Sequence, residues 1–325
     1  MQSEATTTID LPIAVRVGRL WRLAVQGLCG DVIPAGSPER SLARVVAATS
    51  DGARIVIERL PPEVARRKME IAATIDALSR AGLSYTNPYL RSSSGQHVLP
   101  LGAHFWQVSP FLEGAPLPRP AWVWDGWRGE SLAHFLVDLR RAAQSLRLPS
   151  GAPFSVSAFC SDLMLRIRAN RPGLAGSVAA IIEPLLGGWL PADGALEASF
   201  CHGDPHPLNV IWSPAGESLR AVIDWEFCGL RPAAYDTALI IGCVGIEEPD
   251  ALTGPLVREF LQMLRELGHP AASEPALWAL VLAIRLAWLS DWLRRGDEEM
   301  VALEQRYLTL LVDRRGMLEA AWGCG

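Results

Sequence analysis

One stretch in the second half of the chain gathers several side chains with catalytic or metal-binding chemistry: Cys201-His202-Gly203-Asp204-Pro205-His206-Pro207-Leu208-Asn209. Asp224 follows farther along the chain. Asp and Asn side chains offer the oxygen ligands that Mg²⁺ prefers, and a carboxylate can accept the proton of an attacking hydroxyl group. Gly203 permits a tight turn, and His202 is expected to brace the loop through hydrogen bonds. The residue types therefore predict a magnesium site beside a proton acceptor.

A predicted hairpin explains how these residues come together. Val210–Trp212 and Ala221–Ile223 are β-forming segments on either side of a turn that contains Pro and Gly, which predicts an antiparallel pair. A symmetric hairpin would place Asn209 opposite Asp224 at its open end, with Asp204 on the loop above. The alternative is an ordinary hairpin whose Asp and Asn side chains only cap turns.

The flanking segments predict an α+β fold with two lobes. The first third alternates β-rich runs with one helix that begins at Pro61-Pro62-Glu63 and ends at Gly82; the predicted strands are 42–49, 54–60, 97–101 and 104–111. A connector rich in Pro and Gly follows at 113–120. We expect a small lobe over residues 1–112, which includes a leading helical segment, and a larger lobe over residues 113–325.

The second lobe is predicted to be mostly helical. Apolar residues recur at helical spacing in six segments: 131–146, 157–168, 177–183, 252–267, 275–295 and 298–322. The most apolar stretch, 276–284, is stopped by Arg285 and is too short to span a bilayer. Arg285 itself is interpreted as half of a structural ion pair with an acid from another segment.

Composition excludes several classes of protein. The chain has 325 residues, 50% of them hydrophobic, with a net charge of −5, which excludes intrinsic disorder and argues against nucleic-acid binding. Its six cysteines form no C-x-x-C pair and are expected to be reduced thiols. Neither a signal peptide nor a membrane anchor is recognised, so a cytoplasmic location is expected. Among the 30 Lys plus Arg residues, only Lys68 is lysine.

The motif H-G-D-x-H-P-x-N at 202–209, followed by I-D-W-E at 223–226, resembles the aminoglycoside phosphotransferase and choline kinase family. The resemblance implies a bilobal protein-kinase-like fold, a catalytic base at Asp204, and magnesium ligands at Asn209 and Asp224. It implies Glu226 as a further ligand and a structural role for Asp236. The implied cofactors are ATP and Mg²⁺, and the implied acceptor is a hydroxyl group of a small molecule.

The same resemblance assigns nucleotide contacts. His206 is expected to contact a phosphate or the substrate, or else to brace its loop. The other contacts are expected in a hairpin at 35–41, on the third strand and at a hinge after the last strand of the lobe: Gly36, Ser37, Val56, Arg59, Ser109 and Phe111.

One position departs from the family pattern. The third strand should carry a lysine that neutralises the phosphates, but that position reads Glu58, and Glu70 on the next helix would then lack its partner. A shift in the register of this strand could place Arg59 or Arg54 at the phosphates instead. Lys68 could also reach in, although two residues from Glu70 it should point to another side of the helix. The last alternative is that ATP is held differently or not at all.

These observations predict an ATP- and Mg²⁺-dependent small-molecule phosphotransferase. Because Glu58 would repel phosphate, the rival is a catalytically inactive pseudokinase that binds a nucleotide or a protein. A third interpretation is an active enzyme that transfers a nucleotidyl group instead of a phosphoryl group.

Overall fold

The structure is a computed structural model and describes residues 8–32, 40–146 and 153–324. The chain divides into two compact units, Met1–Gly114 and Ala115–Gly325. Each unit has its own secondary structure and core and is described separately below.

Unit 1 is built on a five-stranded antiparallel sheet with the strand order β1-β2-β3-β5-β4. The sequence predicted four of these strands and the helix, whereas the short first strand was not predicted. The elements are α1 (Leu11–Leu20), β1 (Val25–Leu28), β2 (Ala43–Thr49), β3 (Arg54–Leu60), α2 (Ala65–Arg80), β4 (Val98–Leu101) and β5 (His104–Pro110).

The side chains of β3 point alternately to the two faces of this sheet. Ile55 and Ile57 belong to a buried cluster that includes Ala14 and Val17 of α1. Leu60 belongs to a second cluster, with Ala65 at the start of α2. Because successive side chains of a strand point to opposite faces, Val56 and Glu58 lie on the face of Leu60.

Unit 2 is mostly helical, as predicted, and has two small antiparallel strand pairs, β6–β9 and β7–β8. Its helices are α3 (Gly126–Gln144), α4 (Val156–Asn170), α5 (Pro172–Pro184), α6 (Tyr235–Glu247), α7 (Pro255–Glu266), α8 (Leu277–Arg295), α9 (Glu298–Asp313) and α10 (Arg315–Trp322). Its strands are β6 (Ala198–Cys201), β7 (Val210–Trp212), β8 (Leu219–Val222) and β9 (Gly229–Pro232).

Several helix boundaries differ from the prediction; α5, for example, begins at Pro172 rather than at 177. Helix α3 begins at Gly126, earlier than the predicted start at 131, because its glycines serve packing rather than ending the helix. A Cβ at Gly129 would lie 2.2 Å from the carbonyl oxygen of Leu256, so α3 and α7 pack with their backbones in close approach. The predicted helix over 298–322 is two helices, α9 and α10, separated at Arg314.

Within the described ranges, no helix combines the length and the apolar character that crossing a membrane requires.

Candidate active site

The loop after β6 is held by a buried carboxylate at the start of α6. Asp236 is 3% exposed, and its two oxygens accept the backbone N–H groups of His202 at 2.7 Å and of Gly203 at 2.9 Å. Burial raises the pKa of Asp236 to about 6, although these two hydrogen bonds lower it. Asp236 thus fixes the backbone immediately before Asp204.

His202 braces the same loop, as predicted. Its ring is completely buried, Nδ1 accepts the N–H of Asp204 at 3.2 Å, and Nε2 lies 3.1 Å from the carbonyl oxygen of Ile223. The ring also lies 4.4 Å from that of Trp225 between centroids. Burial lowers the pKa of His202 to about 3, so the imidazole is neutral and links the loop to the end of β8.

Gly203 is required at its position for two reasons. Its φ is +86°, and a Cβ there would lie 2.3 Å from the carbonyl oxygen of Phe227. Only glycine satisfies both constraints without strain. The tight turn predicted from the sequence is therefore present.

Asp204 and Asn209 lie together. Nδ2 of Asn209 donates to the backbone oxygen of Asp204 at 2.9 Å and to its Oδ2 at 3.1 Å. Since Nδ2 is turned towards Asp204, Oδ1 is the acceptor atom that this side chain can offer to another group. Nε2 of His206 is 3.6 Å from Oδ2 of Asp204.

The hairpin register differs by one residue from the symmetric pairing expected from the sequence. Val210 pairs with Val222, and the N–H of Ile223 donates to the carbonyl oxygen of Asn209 at 2.8 Å. Asn209 is thus opposite Ile223, and Asp224 comes one residue later. The register also shifts between Ile211 and Trp212, which makes the two arms unequal in length.

Asp224 adopts a left-handed conformation, with φ +63°, that few residues other than glycine tolerate. The residue before it, Ile223, is hydrogen-bonded to Asn209 at the open end of the hairpin. Burial lowers the pKa of His206 to about 4, the charge of Asp224 opposes this and the charge of Arg285 adds to it, so the ring is neutral near pH 7. Asp224 therefore lies at the same end of the hairpin as Asp204 and His206.

Asn209, Asp224 and Glu226 offer the amide and carboxylate oxygens that suit Mg²⁺. The described part of the chain contains no group of three or more His, Cys, Asp or Glu side chains arranged to hold a metal ion. Mg²⁺ commonly takes only one or two carboxylates and completes its coordination with phosphate oxygens and water. The donor set fits such a partly open site.

A buried ion pair lies beside His206. Arg285 of α8 and Glu304 of α9 are 2% and 0% exposed, and Nε of Arg285 donates to Oε1 of Glu304 at 2.7 Å. This confirms the interpretation of Arg285 as a structural ion-pair residue. Trp288 links the pair to the loop, because its ring centroid lies 5.2 Å from the Arg285 guanidinium and 5.7 Å from the His206 ring.

In unit 1, Gly36 and Ser37 lie outside the described residues. Val56 pairs with Ser109 across β3 and β5, and the N–H of Phe111 donates to the carbonyl oxygen of Arg54 at 2.9 Å. Arg59 is 8% exposed and lies on the opposite face of β3 from Val56. Val56 and Arg59 therefore cannot line the same surface.

Glu58 is buried among polar partners that sequence reasoning did not identify. Arg44 donates through Nε to Oε1 of Glu58 at 2.8 Å, and Nε2 of Gln107 donates to Oε2. Each is the direct cross-strand neighbour of Glu58 in the sheet. Arg44 could have been found from the sequence, because positions 44 and 58 are equidistant from Asp51 at the centre of the turn between β2 and β3. Gln107 could not, because its pairing with Glu58 joins strands that are distant in sequence.

Comparison with known proteins identifies the family of the chain. The model of the phosphotransferase enzyme family matches residues 38–275. The chain therefore belongs to the phosphotransferase enzyme family, and the resemblance drawn from the sequence motifs is confirmed. No curated protein sequence matches the chain significantly.

Solved structures with a kinase-like fold cover nearly the whole chain. An aminoglycoside phosphotransferase from Alicyclobacillus acidocaldarius is 17% identical with a TM-score of 0.66, covering 99% of this chain and 98% of its own. An amicoumacin kinase in complex with AMP-PNP and Ca²⁺ is 11% identical with a TM-score of 0.66, covering 95% and 96%. A macrolide 2'-phosphotransferase from Brachybacterium faecium is 17% identical with a TM-score of 0.62, covering 92% and 97%. The predicted kinase-like α+β fold is confirmed.

Proposed function

We propose that the protein transfers the γ-phosphoryl group of ATP, in the presence of Mg²⁺, to a hydroxyl group of a small molecule. The observation that carries this proposal is the position of the Asp204 carboxylate. Asn209 holds it at 3.1 Å, on a loop whose backbone is fixed by Asp236. A carboxylate held in one orientation can take the proton from a substrate hydroxyl group that binds next to it.

In the proposed reaction, the acceptor hydroxyl oxygen forms a bond to the γ-phosphorus. The bond from that phosphorus to the β,γ-bridging oxygen breaks, and ADP leaves with the electron pair. Asp204 orients the acceptor hydroxyl and takes its proton. Asn209, Asp224 and Glu226 would hold Mg²⁺, which when bound neutralises charge on the phosphate oxygens.

Nucleotide binding is assigned to unit 1. Val56 would contact the base, and Ser109 and Phe111 would lie at its edge. Gly36 and Ser37 are proposed as phosphate contacts on the family resemblance alone. Use of a nucleotide is supported by the structural relative solved with AMP-PNP.

An ATP-consumption screen tests the proposal. The purified protein is incubated with ATP, Mg²⁺ and panels of aminoglycosides, macrolides, amino alcohols and sugars, with Asp204→Asn as the blank. Mass spectrometry of the product distinguishes a phosphoryl adduct from an adenylyl adduct. Equal turnover by Asp204→Asn would refute the assigned base, and an adenylyl product would refute the assigned reaction.

A further inference from the structure

A row of polar side chains crosses three neighbouring strands of unit 1. Arg44 on β2, Glu58 on β3 and Gln107 on β5 are direct cross-strand neighbours, so all three lie on one face of the sheet. Glu58 is 5% exposed and Gln107 is 1% exposed. Arg44 uses two of its nitrogens, Nε at 2.8 Å and NH2 at 2.7 Å, on one oxygen of Glu58. The acid is therefore surrounded by donors.

The only lysine of the chain acts on this acid from helix α2. Lys68 is 1% exposed and belongs to the buried side of α2 together with Ile71 and Ile75. Burial raises the pKa of Glu58, but the charges of Arg44 and Lys68 and the hydrogen bond from Gln107 outweigh burial and lower it. Glu58 is thus ionised. Packing places Lys68 on the same side of the sheet, because Leu60 on the Glu58 face lies in one cluster with Ala65 of α2, and Lys68 follows Ala65 by three residues on the same side of the helix.

The helix residue that faces the strand is accordingly Lys68 and not Glu70. Glu70 lies on the outer side of α2, where its carboxylate is 3.2 Å from Nε of Arg66 and its side chain is 46% exposed. Strand β3 therefore carries the acid, Glu58, and helix α2 carries the lysine, Lys68. The charges of the pair are the reverse of the arrangement that the sequence motif led us to expect.

We propose that Lys68 binds the phosphate groups of the donor nucleotide and that Glu58 positions its ammonium group. An ammonium group has three donors and can hold a carboxylate and a phosphate oxygen together. Val56, which we assign to the nucleotide, is two residues from Glu58 on the same face of β3. The inference rests on the proposed function only in taking the anion to be a nucleotide polyphosphate.

The two arginines of β3 are placed for other contacts. Arg59 lies on the opposite face of the strand from Glu58. Arg54 is 3.3 Å from Oε2 of Glu113, and its guanidinium lies 4.6 Å from the ring centroid of Phe111. Arg44 shares the Glu58 face but directs two of its nitrogens to Oε1 of Glu58. Lys68 is therefore the second basic residue assigned to that face. Because the Lys68 side chain is only 1% exposed, phosphate binding requires the groups that cover it to move.

The single lysine makes a direct test practical. Protein grown with lysine labelled with ¹⁵N at Nζ gives one side-chain ammonium signal, and Lys68→Arg lacks it. We expect ATP and tripolyphosphate to shift this signal and adenosine to leave it unmoved. No shift with either phosphate compound would overturn the inference. A shift without phosphotransfer to any acceptor would support the inference while the proposed function fails.

Affinity measurements separate phosphate binding from a purely structural role. We expect Lys68→Met to weaken ATP binding by about tenfold or more, because a charge-assisted hydrogen bond is lost. Lys68→Arg should lose less. The matched control is Arg67→Met, the preceding residue, whose side chain is 45% exposed. A lower melting temperature with unchanged ATP affinity in Lys68→Met would show a structural role and overturn the inference.

Exchanging the charges provides a second route if Lys68→Met fails to fold. Glu58→Lys alone brings two cations together, and Lys68→Glu alone brings two acids together, so each should lose ATP binding. The double variant Glu58→Lys with Lys68→Glu restores an ion pair and should recover ATP binding over both single variants. Binding by the double variant no better than by the weaker single variant would contradict the proposed pair.

Discussion

Asn209 holds Asp204 with one amide group. Its Nδ2 atom donates to the backbone oxygen of Asp204 at 2.9 Å and to its carboxylate at 3.1 Å. The same side chain thus fixes the orientation of the proposed base and directs its own Oδ1 away from it. A single residue thereby connects the proposed proton acceptor to the proposed metal site.

We therefore expect Asn209→Ala to reduce kcat by about 10- to 100-fold, as is usual when a residue supporting a metal site or a reactive group is removed. The loss should persist at high Mg²⁺, because the orientation of Asp204 is also lost. Steady-state kinetics over a range of Mg²⁺ concentrations measure this effect.

The control is Leu208→Ala, the neighbouring residue, whose side chain is 55% exposed. Its kcat should equal that of the wild type. If high Mg²⁺ concentrations fully restored the kcat of Asn209→Ala, Asn209 would only bind the metal and would not orient Asp204.

Asp224→Asn tests the metal site separately. An amide in place of the carboxylate removes a negative charge that favours Mg²⁺ but keeps the shape of the side chain. The concentration of Mg²⁺ that gives half-maximal activity should rise by about tenfold or more. An unchanged Mg²⁺ requirement would exclude Asp224 as a ligand.

The strands β2 to β5 of unit 1 could be predicted because they depend on local patterns. The residue types at Asp204, Asn209 and Asp224 indicated an oxygen-donor site, and alternation indicated β3. The hairpin register could not be predicted, since it depends on a one-residue shift that a symmetric turn does not reveal. The contact of Glu58 with Gln107 was also out of reach, because the two residues are 49 positions apart in the sequence.

Gly203→Ala should distort the loop that carries Asp204. The added Cβ would lie 2.3 Å from the carbonyl oxygen of Phe227, at a φ of +86° that alanine disfavours. We expect a loss of stability of about 1–3 kcal/mol together with reduced kcat. Urea denaturation and kinetics measure the two effects.

Gly216→Ala is the matched control, because Gly216 is exposed in the β7–β8 turn and a Cβ there meets no atom within 4 Å. It should leave both stability and kcat unchanged. If Gly203→Ala were equally neutral, the loop would be more adaptable than its geometry indicates.

The stability of the protein should fall as the pH falls from about 6.5 towards 4, partly through His269. Burial, aided by the charge of Arg140, lowers the pKa of His269 to about 4, although the charge of Glu197 raises it. The unfolded chain, with a histidine pKa of about 6.5, then binds a proton that the folded chain does not. The contribution is about 3 kcal/mol at most.

His269→Gln removes this proton uptake, so its free energy of unfolding should depend less steeply on pH between 6.5 and 4. Denaturation in urea at several pH values measures the slope. The control is His134→Gln, at an exposed position on α3, which should retain the slope of the wild type. Identical slopes for His269→Gln and the wild type would show that His269 titrates normally.

The buried pair of Arg285 and Glu304 should contribute little net free energy of unfolding, whereas removing only one partner should lower the free energy of unfolding strongly. Removing one partner leaves an uncompensated charge in the core, so Arg285→Met and Glu304→Leu should each destabilise the protein by about 3–5 kcal/mol. The double variant leaves no buried charge and should recover much of that loss. A double-mutant cycle in urea measures the coupling. Additive losses in the double variant would contradict this account, because they would mean that the two charges are compensated independently.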